Sequence, residues 1–328
     1  MTTTPSAGLT TEPVVRHFLR DDDLTHAEQR QVLDLAARLK ADRYADQTLA
    51  GPRGVAVIFD KPTLRTQVSF NAGIAELGGY PLMIDGRLAQ IGERESIADT
   101  ARVLGRQVSA IVWRTYAQAR VEEMADAAGV PVVNALTDEF HPCQLLADLL
   151  TFREHRGDPA GKTLAYLGDG GNNMANSYVL GGALAGMHVR IGTPGGHQPA
   201  PAVLVAATLL AEALDGSVTV TDSPQTAVEG ADAVATDTWV SMGMEDEHGA
   251  RRGAESPFAP YRVDDALMGL AHPDAVFLHC LPAYRGFEVT AGVIDGPQSV
   301  VWEEAENRLH VQKALLSFLL GASGRTTG

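Results

Sequence analysis

The sequence predicts an α/β protein of two doubly wound domains, each with a mainly parallel sheet flanked by helices, the two joined by long helices. Three observations carry that expectation. Short β-rich apolar runs alternate with longer amphipathic stretches, the pattern of parallel strands covered on both faces by crossover helices. The alternation breaks at the polar stretch REHRGDPAGK (153–162) and then resumes, which gives two sets rather than one. Polar clusters fall just after the strands, where open α/β sheets bind their ligands.

Taken in order, residues 1–12 (MTTTPSAGLTTE) are small and polar and read as a loosely ordered terminus. Strands are expected at VAVIF (55–59), PLMI (81–84), SAIVW (109–113) and PVVNA (131–135), with helices at about 24–40, 66–78, 95–106, 117–128 and 141–155. In the second set the strands are TLAYLG (163–168), HVRIG (188–192), SVTVT (217–221), DAVATD (232–237) and AVFLHC (275–280). Helices are expected between them at about 172–186, 200–214, 224–229 and 262–270, and a last one at 307–320. Residues 1–148 then form one domain and 149–305 the other, with a C-terminal helix of about 306–328 packing back on the first. The polar stretch 241–256 (SMGMEDEHGARRGAES) is long enough to be a lid or binding loop.

A chain of 328 residues can bury two sizeable cores, and 45% apolar with 20% charged residues fits an ordinary globular protein. With 26 Lys and Arg against 41 Asp and Glu, the net charge is −15, which argues against nucleic acid or an anionic membrane as partner. An anionic substrate must then be held by a few placed arginines. Two cysteines, Cys143 and Cys280, make no disulfide framework and have no paired metal-ligand spacing. Without a signal-like or bilayer-length apolar run, the cytoplasm is the expected compartment.

The residues able to carry chemistry lie at element ends. In FDKPTLRTQ (59–67) a buried strand runs into two hydroxyls and an arginine before a helix opens. That seam reads either as an anion site on a helix N-terminus or as an N-cap threonine beside a surface arginine. Arg65, Arg114 and Arg308 all sit at strand or helix ends; each alone reads as a surface residue, the three together as a phosphate-binding set. His141 and Gln144 share one face at the start of an amphipathic helix and are either cap and surface residues or joint ligand contacts. LGDGGNNMANS (167–177) lacks G-x-G-x-x-G spacing, which disfavours a nucleotide cofactor, and its Asn172–Asn173 pair can cap a helix or bind a polar group. Cys280, ending a strand, is a buried structural thiol or a group that orients an amine.

Taken together, the motifs resemble the aspartate/ornithine carbamoyltransferase family over residues 15–320. KPTLRT (61–66) is similar to the family's carbamoyl-phosphate loop, and AQIG (89–92) with ESIADTARVLGR (95–106) to the loop that reaches a neighbouring subunit. WRT (113–115), HPCQ (141–144) and HCLP (279–282) resemble further family motifs, while DTWVSMG (237–243) and ENRLH (306–310) resemble the ornithine branch. The resemblance implies that carbamoyl phosphate contacts Thr63, Leu64, Arg65, Thr66, Arg114, His141, Gln144, Cys280, Leu281 and Arg308, with Gln90 supplied by an adjacent subunit of a homotrimer. It implies that the ornithine head contacts Asn173, Asp237, Ser241 and Met242, that Arg65, Arg114, His141 and Cys280 act at the reacting centre, and that no metal or other cofactor is required. The product would be citrulline, for arginine biosynthesis.

Three departures stand out. Thr63 replaces the usual serine, Gln67 the loop's second arginine and Asn71 a glutamate one turn later, so an amide pair could replace an ion pair on one helix face. Two rival expectations follow: a carbamoyltransferase with another diamino-acid-like acceptor in specialised metabolism, and a non-catalytic paralogue. The intact DTWVSMG stretch argues for a free amino-acid head, and the retained arginines argue for catalysis.

Overall fold

The computed structural model describes residues 15–240, 248–253 and 255–323. After a 3-10 turn at Asp21–Asp23, helix α1 (His26–Ala41) starts on a capping box. The Glu28 amide donates to Thr25 Oγ1, and the Thr25 amide donates to the Glu28 carboxylate. There follow β1 (Gly54–Phe59), α2 (Arg65–Glu76), β2 (Tyr80–Asp85), α3 (Gly86–Ala89), α4 (Ile97–Leu104), β3 (Ala110–Arg114), α5 (Gln118–Ala128), β4 (Val132–Leu136) and α6 (Pro142–Arg156). The second set is β5 (Thr163–Leu167), α7 (Asn173–Leu184), β6 (His188–Gly192), α8 (Pro201–Ala213), β7 (Ser217–Thr221), α9 (Pro224–Val228), β8 (Ala233–Thr236), α10 (His248–Arg252), α11 (Asp265–Met268), β9 (Val276–His279) and α12 (Ala291–Ile294), closed by α13 (Val301–Ser323).

All pairings between these strands are parallel, in the orders β2-β1-β3-β4 and β7-β6-β5-β8-β9. Every residue of β1, β3 and β4 is buried, as continuous Val/Ile/Ala runs covered on both faces must be. The edge strand β2 is different: none of its residues is buried, and Leu82 and Met83 are exposed.

Each sheet has one place where the chain reverses its direction of travel: β1/β3 in the first and β5/β8 in the second. A crevice opens there beyond the strands' carboxyl ends. The FDKPTLRT seam and Arg114 lie at one such point, and LGDGGNN and Asp237 at the other.

The short helices α3, α10 (inside the expected 241–256 loop) and α12 are additional to those expected, and two expected helices have clearly different bounds. The helix expected at 262–270 shrinks to Asp265–Met268, capped by the Asp264 carboxylate accepting from the Leu267 amide. The last helix starts at Val301, not near 307, and packs against α1, α2 and α6. Its added first turn contains Glu304, which is fully buried. A buried acid in a polar-looking segment defeats a reading based on hydrophobic periodicity.

Candidate active site

Asp60, just past β1, fixes the first crevice. Its carboxylate accepts from Trp113 Nε1 and Thr115 Oγ1, and its amide donates to the Arg114 carbonyl, so the ends of β1 and β3 are tied together. Lys61 is buried and donates to Asp138, which braces the loop from below.

Helix α2 begins at Arg65 with Leu64 as its N-cap, and no side chain caps it. Thr63 is therefore not the cap, and the plain reading of the seam fails. Leu64 is 71% exposed and Thr63 half-buried, while Thr66 is fully buried. The Thr66 hydroxyl receives Arg308 Nη2 at 2.7 Å and Arg114 Nη1 at 3.5 Å. Arg65 Nη2 donates to the Leu281 carbonyl at 2.6 Å, spanning from the first half of the chain to the second. Arg308 comes from α13, so the three arginines reach one point from three elements. The surface reading is overturned for the buried Arg114 and Arg308, while Arg65 is half-buried and tied across to Leu281.

Such crowding has an electrostatic cost. Burial and the neighbouring Arg308 and Arg65 bring Arg114 down to about 9, and burial together with Arg65 lowers Arg308. Both remain cationic at neutral pH, in a chain whose net charge is −15. Among the described residues, the Nε groups of Arg65 and Arg308 have no hydrogen-bond partner. An oxyanion is the group that satisfies such a set of forks.

His141 precedes α6 and is buried; its amide donates to Ser177 Oγ at 2.9 Å, and Ser177 donates on to Asp21. Burial, then Arg308, Arg114 and Arg65, push the imidazole well below its ordinary value. It is neutral at physiological pH, with Nδ1 unpartnered among the described residues. Gln144 is fully buried too, and the first eleven residues of α6, Pro142 to Phe152, are buried on every side. The amphipathic helix expected here is thus corrected, and of the two readings of Gln144 the surface one is excluded. Helix α6 is a central strut between the two halves.

The second crevice holds the other set. Asn172 caps α7 by accepting from the Ala175 amide, whereas Asn173 Nδ2 donates to the Thr137 carbonyl beyond β4. Asp237 is buried and accepts from the Thr238 amide at 2.7 Å and from Cys280 Sγ at 3.2 Å. Burial raises its carboxyl even though His279 and the thiol pull it down, and burial and Asp237 together raise Cys280 well above the thiol range. Cys280 is therefore a neutral S–H donor.

His279 Nδ1 accepts from the Leu281 amide at 2.9 Å, which puts its proton on Nε2, 3.4 Å from Glu288 Oε1. That bond helps hold Leu281 at φ 58°, a conformation costing a leucine roughly 1 kcal/mol. It also aims the Leu281 carbonyl at Arg65. Ligand atoms of Asp237, His279 and Cys280 lie within 4.8 Å of one another, so partners do approach Cys280, contrary to the expectation from spacing alone. The thiol proton and His279 Nδ1 are already engaged.

Ser241 and Met242 lie outside the described residues. Gln90 is exposed at the end of α3 with φ 52°. Gln67 is half-buried and Asn71 exposed, and no hydrogen bond joins them, so the expected amide pair is not formed. Sequence reading missed Asp60, Asp148, Glu288 and Glu304 altogether. Only Asp148 leaves a signal, as a lone charge inside the apolar run LLADLL.

The chain matches two family models. Residues 16–154 match the carbamoyl-P binding domain of aspartate/ornithine carbamoyltransferase, and residues 160–319 its Asp/Orn binding domain. It is 62% identical over 310 residues to an ornithine carbamoyltransferase of Clavibacter michiganensis subsp. michiganensis, covering 94% of this chain and 100% of that one. An ornithine carbamoyltransferase of Bifidobacterium longum is 59% identical over 312 residues, 94% and 96% of the two chains. Among solved structures, the ornithine carbamoyltransferase from Pyrococcus furiosus superposes with a TM-score of 0.89 at 42% identity, covering 95% of this chain and 99% of the other.

Proposed function

The chain belongs to the aspartate/ornithine carbamoyltransferase family, in its ornithine branch, and we propose that it moves the carbamoyl group of carbamoyl phosphate to the δ-amine of L-ornithine, giving L-citrulline and phosphate. One observation carries the assignment of residues: Arg65, Arg114 and Arg308 converge on Thr66 and Leu281 at an uncapped helix start, beside a neutral His141.

In this reading the phosphate lies against the three guanidiniums, the α2 N-terminus and the hydroxyls of Thr63 and Thr66. Leu64 contributes only backbone there, consistent with its exposed side chain. The carbamoyl oxygen faces Arg114 and His141, and its N–H groups face Gln144 and the Leu281 carbonyl. Asp237 pairs with the ornithine α-ammonium, and Asn173 with Ser241 and Met242 takes the rest of the amino-acid head. Cys280 keeps Asp237 oriented beside the arriving amine.

The neutral δ-amine attacks the carbamoyl carbon, and negative charge collects on the carbonyl oxygen. Arg114 and His141 meet that charge in a water-poor site, which is where preformed donors are worth most. The C–O bond to phosphate then breaks. The proton shed by the nitrogen goes to the leaving phosphate, which departs as hydrogenphosphate.

We assign residues 1–148 with the C-terminal helix to the carbamoyl-phosphate half and 149–305 to the ornithine half. A cytoplasmic homotrimer serving arginine biosynthesis completes the proposal. Exposed Leu64, Val68, Leu82, Met83 and Leu88 around β2 support an interface, and the exposed Gln90 is placed to reach a neighbour's site.

The purified protein should be given carbamoyl phosphate with ornithine, lysine, 2,4-diaminobutyrate, N-acetylornithine or putrescine, and phosphate release followed. Rapid release with ornithine alone is expected. Faster turnover of putrescine or N-acetylornithine would overturn the acceptor, and no release with any amine would overturn the activity.

A further inference from the structure

Beneath the arginine cluster lies a buried acid pair that the transfer chemistry does not use. Gln144 Nε2 donates to Asp148 Oδ1 at 2.8 Å and to Glu304 Oε1 at 2.9 Å. The other oxygen of Glu304 accepts from the His279 amide at 2.8 Å. Gln144, Asp148 and Glu304 are at most 1% exposed, and they come from α6 and α13.

A carboxylate accepts hydrogen bonds, so two acids facing one amide dictate its orientation. The NH2 group must point at them and the oxygen must point away. Gln144 stands on α6 between Asp148, one turn further on, and His141, one turn back, so the side of Gln144 opposite Asp148 is the His141 side of the cradle. The amide oxygen has no hydrogen-bond partner among the described residues. Burial pushes Asp148 up to about 6 and Glu304 well above its usual range. The two acids interact with each other, so the proton the pair retains at moderately acidic pH is shared between them and both still accept from the Gln144 NH2.

We propose that Asp148 and Glu304 are positioning residues that lock the Gln144 amide with its oxygen toward the transferred group, and that this lock makes the site select a phosphorylated carbonyl bearing N–H over one bearing methyl. The proposal rests on the carbamoyl-phosphate reading of the cradle. A carbamoyl N–H satisfies the buried oxygen, whereas an acetyl methyl leaves it unpaired, and sites built around such an acceptor discriminate strongly. A flipped amide would set NH2 against NH2 and reverse the preference.

Two stable phosphonates separate these effects: phosphonoacetamide, which carries the amide, and 2-oxopropylphosphonate, which carries methyl in its place. Titration calorimetry on the wild type should show the amide binding about tenfold tighter or more. In the Asp148→Asn/Glu304→Gln variant, whose amides can turn either way, the ratio should fall below about threefold through weaker amide binding, with ketone affinity unchanged. The single variants Asp148→Asn and Glu304→Gln give the same comparison should the double variant fail to fold. A ratio that survives substitution, or equal weakening of both ligands, would refute the positioning role. A wild type that binds neither phosphonate would instead refute the reading of the cradle, and the proposal with it.

Discussion

At the scale of single residues, the neutral state of His141 is the feature with the clearest kinetic consequence. Burial and three guanidiniums hold its proton off throughout the neutral range. An acid limb in kcat between pH 6 and 9 must therefore come from elsewhere, chiefly the ornithine amine, which has to lose its proton to attack. His141→Gln should lower kcat about 100-fold, the usual loss for one donor to a developing oxyanion, and leave the midpoint of the acid limb where it was. A limb that moves or vanishes in the variant would mean that the imidazole titrates after all. Thr66→Val, which removes the oxygen between Arg114 and Arg308, should raise the KM for carbamoyl phosphate about tenfold. Most of these residues were visible in the sequence, because arginines, hydroxyls and a histidine at strand ends are legible by type and place. Their environment was not. Whether Gln144 lies on a surface or in a core depends on what packs over α6, and that is supplied by α13, far away in the chain.

At the scale of elements, the buried acids make the packing of α6 on α13 sensitive to pH. Asp148 ordinarily titrates near 3.8 and is raised to about 6, with Glu304 raised as well, so between these limits the folded chain holds more protons than the unfolded one. This contribution to stability is fully present below pH 4 and declines as pH rises through 6, by up to about 3 kcal/mol for one group. Urea midpoints at pH 4.5 and 7 should then differ less in Asp148→Asn/Glu304→Gln than in the wild type. An unchanged difference would contradict the shared proton. On the other face of α13, buried Lys313 donates to Glu76 at 2.8 Å and also to the Arg43 carbonyl. Lys313→Ala strands the Arg43 carbonyl and leaves Glu76 with Arg43 as its remaining partner, and should cost about 2 kcal/mol in urea unfolding. The nine strands among the described residues were readable from their apolar runs, because alternation survives whatever packs above it. The start of α13 was not: VWEEAEN looks like a solvated face, yet Glu304 and Asn307 are buried by bonds to other helices.

At the scale of the whole molecule, the site exists only because two sheets and one returning helix meet. Arg308 brings the end of the chain to the β1/β3 crevice, and the Arg65–Leu281 bond closes the gap between halves. The twofold alternation announced two sheets, and the strand-end clusters announced a cleft. No single-chain pattern states the assembly, since an exposed edge such as β2 has the same sequence whether or not a neighbour covers it. Mixing Arg65→Ala with Gln90→Ala protein should restore a measurable fraction of activity if sites are shared between subunits, and verified mixed assemblies that stay inactive would exclude sharing. The central claim, that this cleft joins a carbamoyl carbon to a terminal amine, is tested most directly by nuclear magnetic resonance. Carbamoyl phosphate labelled with 13C and ornithine labelled with 15N at the δ position should yield a product with one-bond 13C–15N coupling as phosphate is released. Phosphate release without that coupling, or a carbamoyl group on the α-nitrogen, would contradict the account.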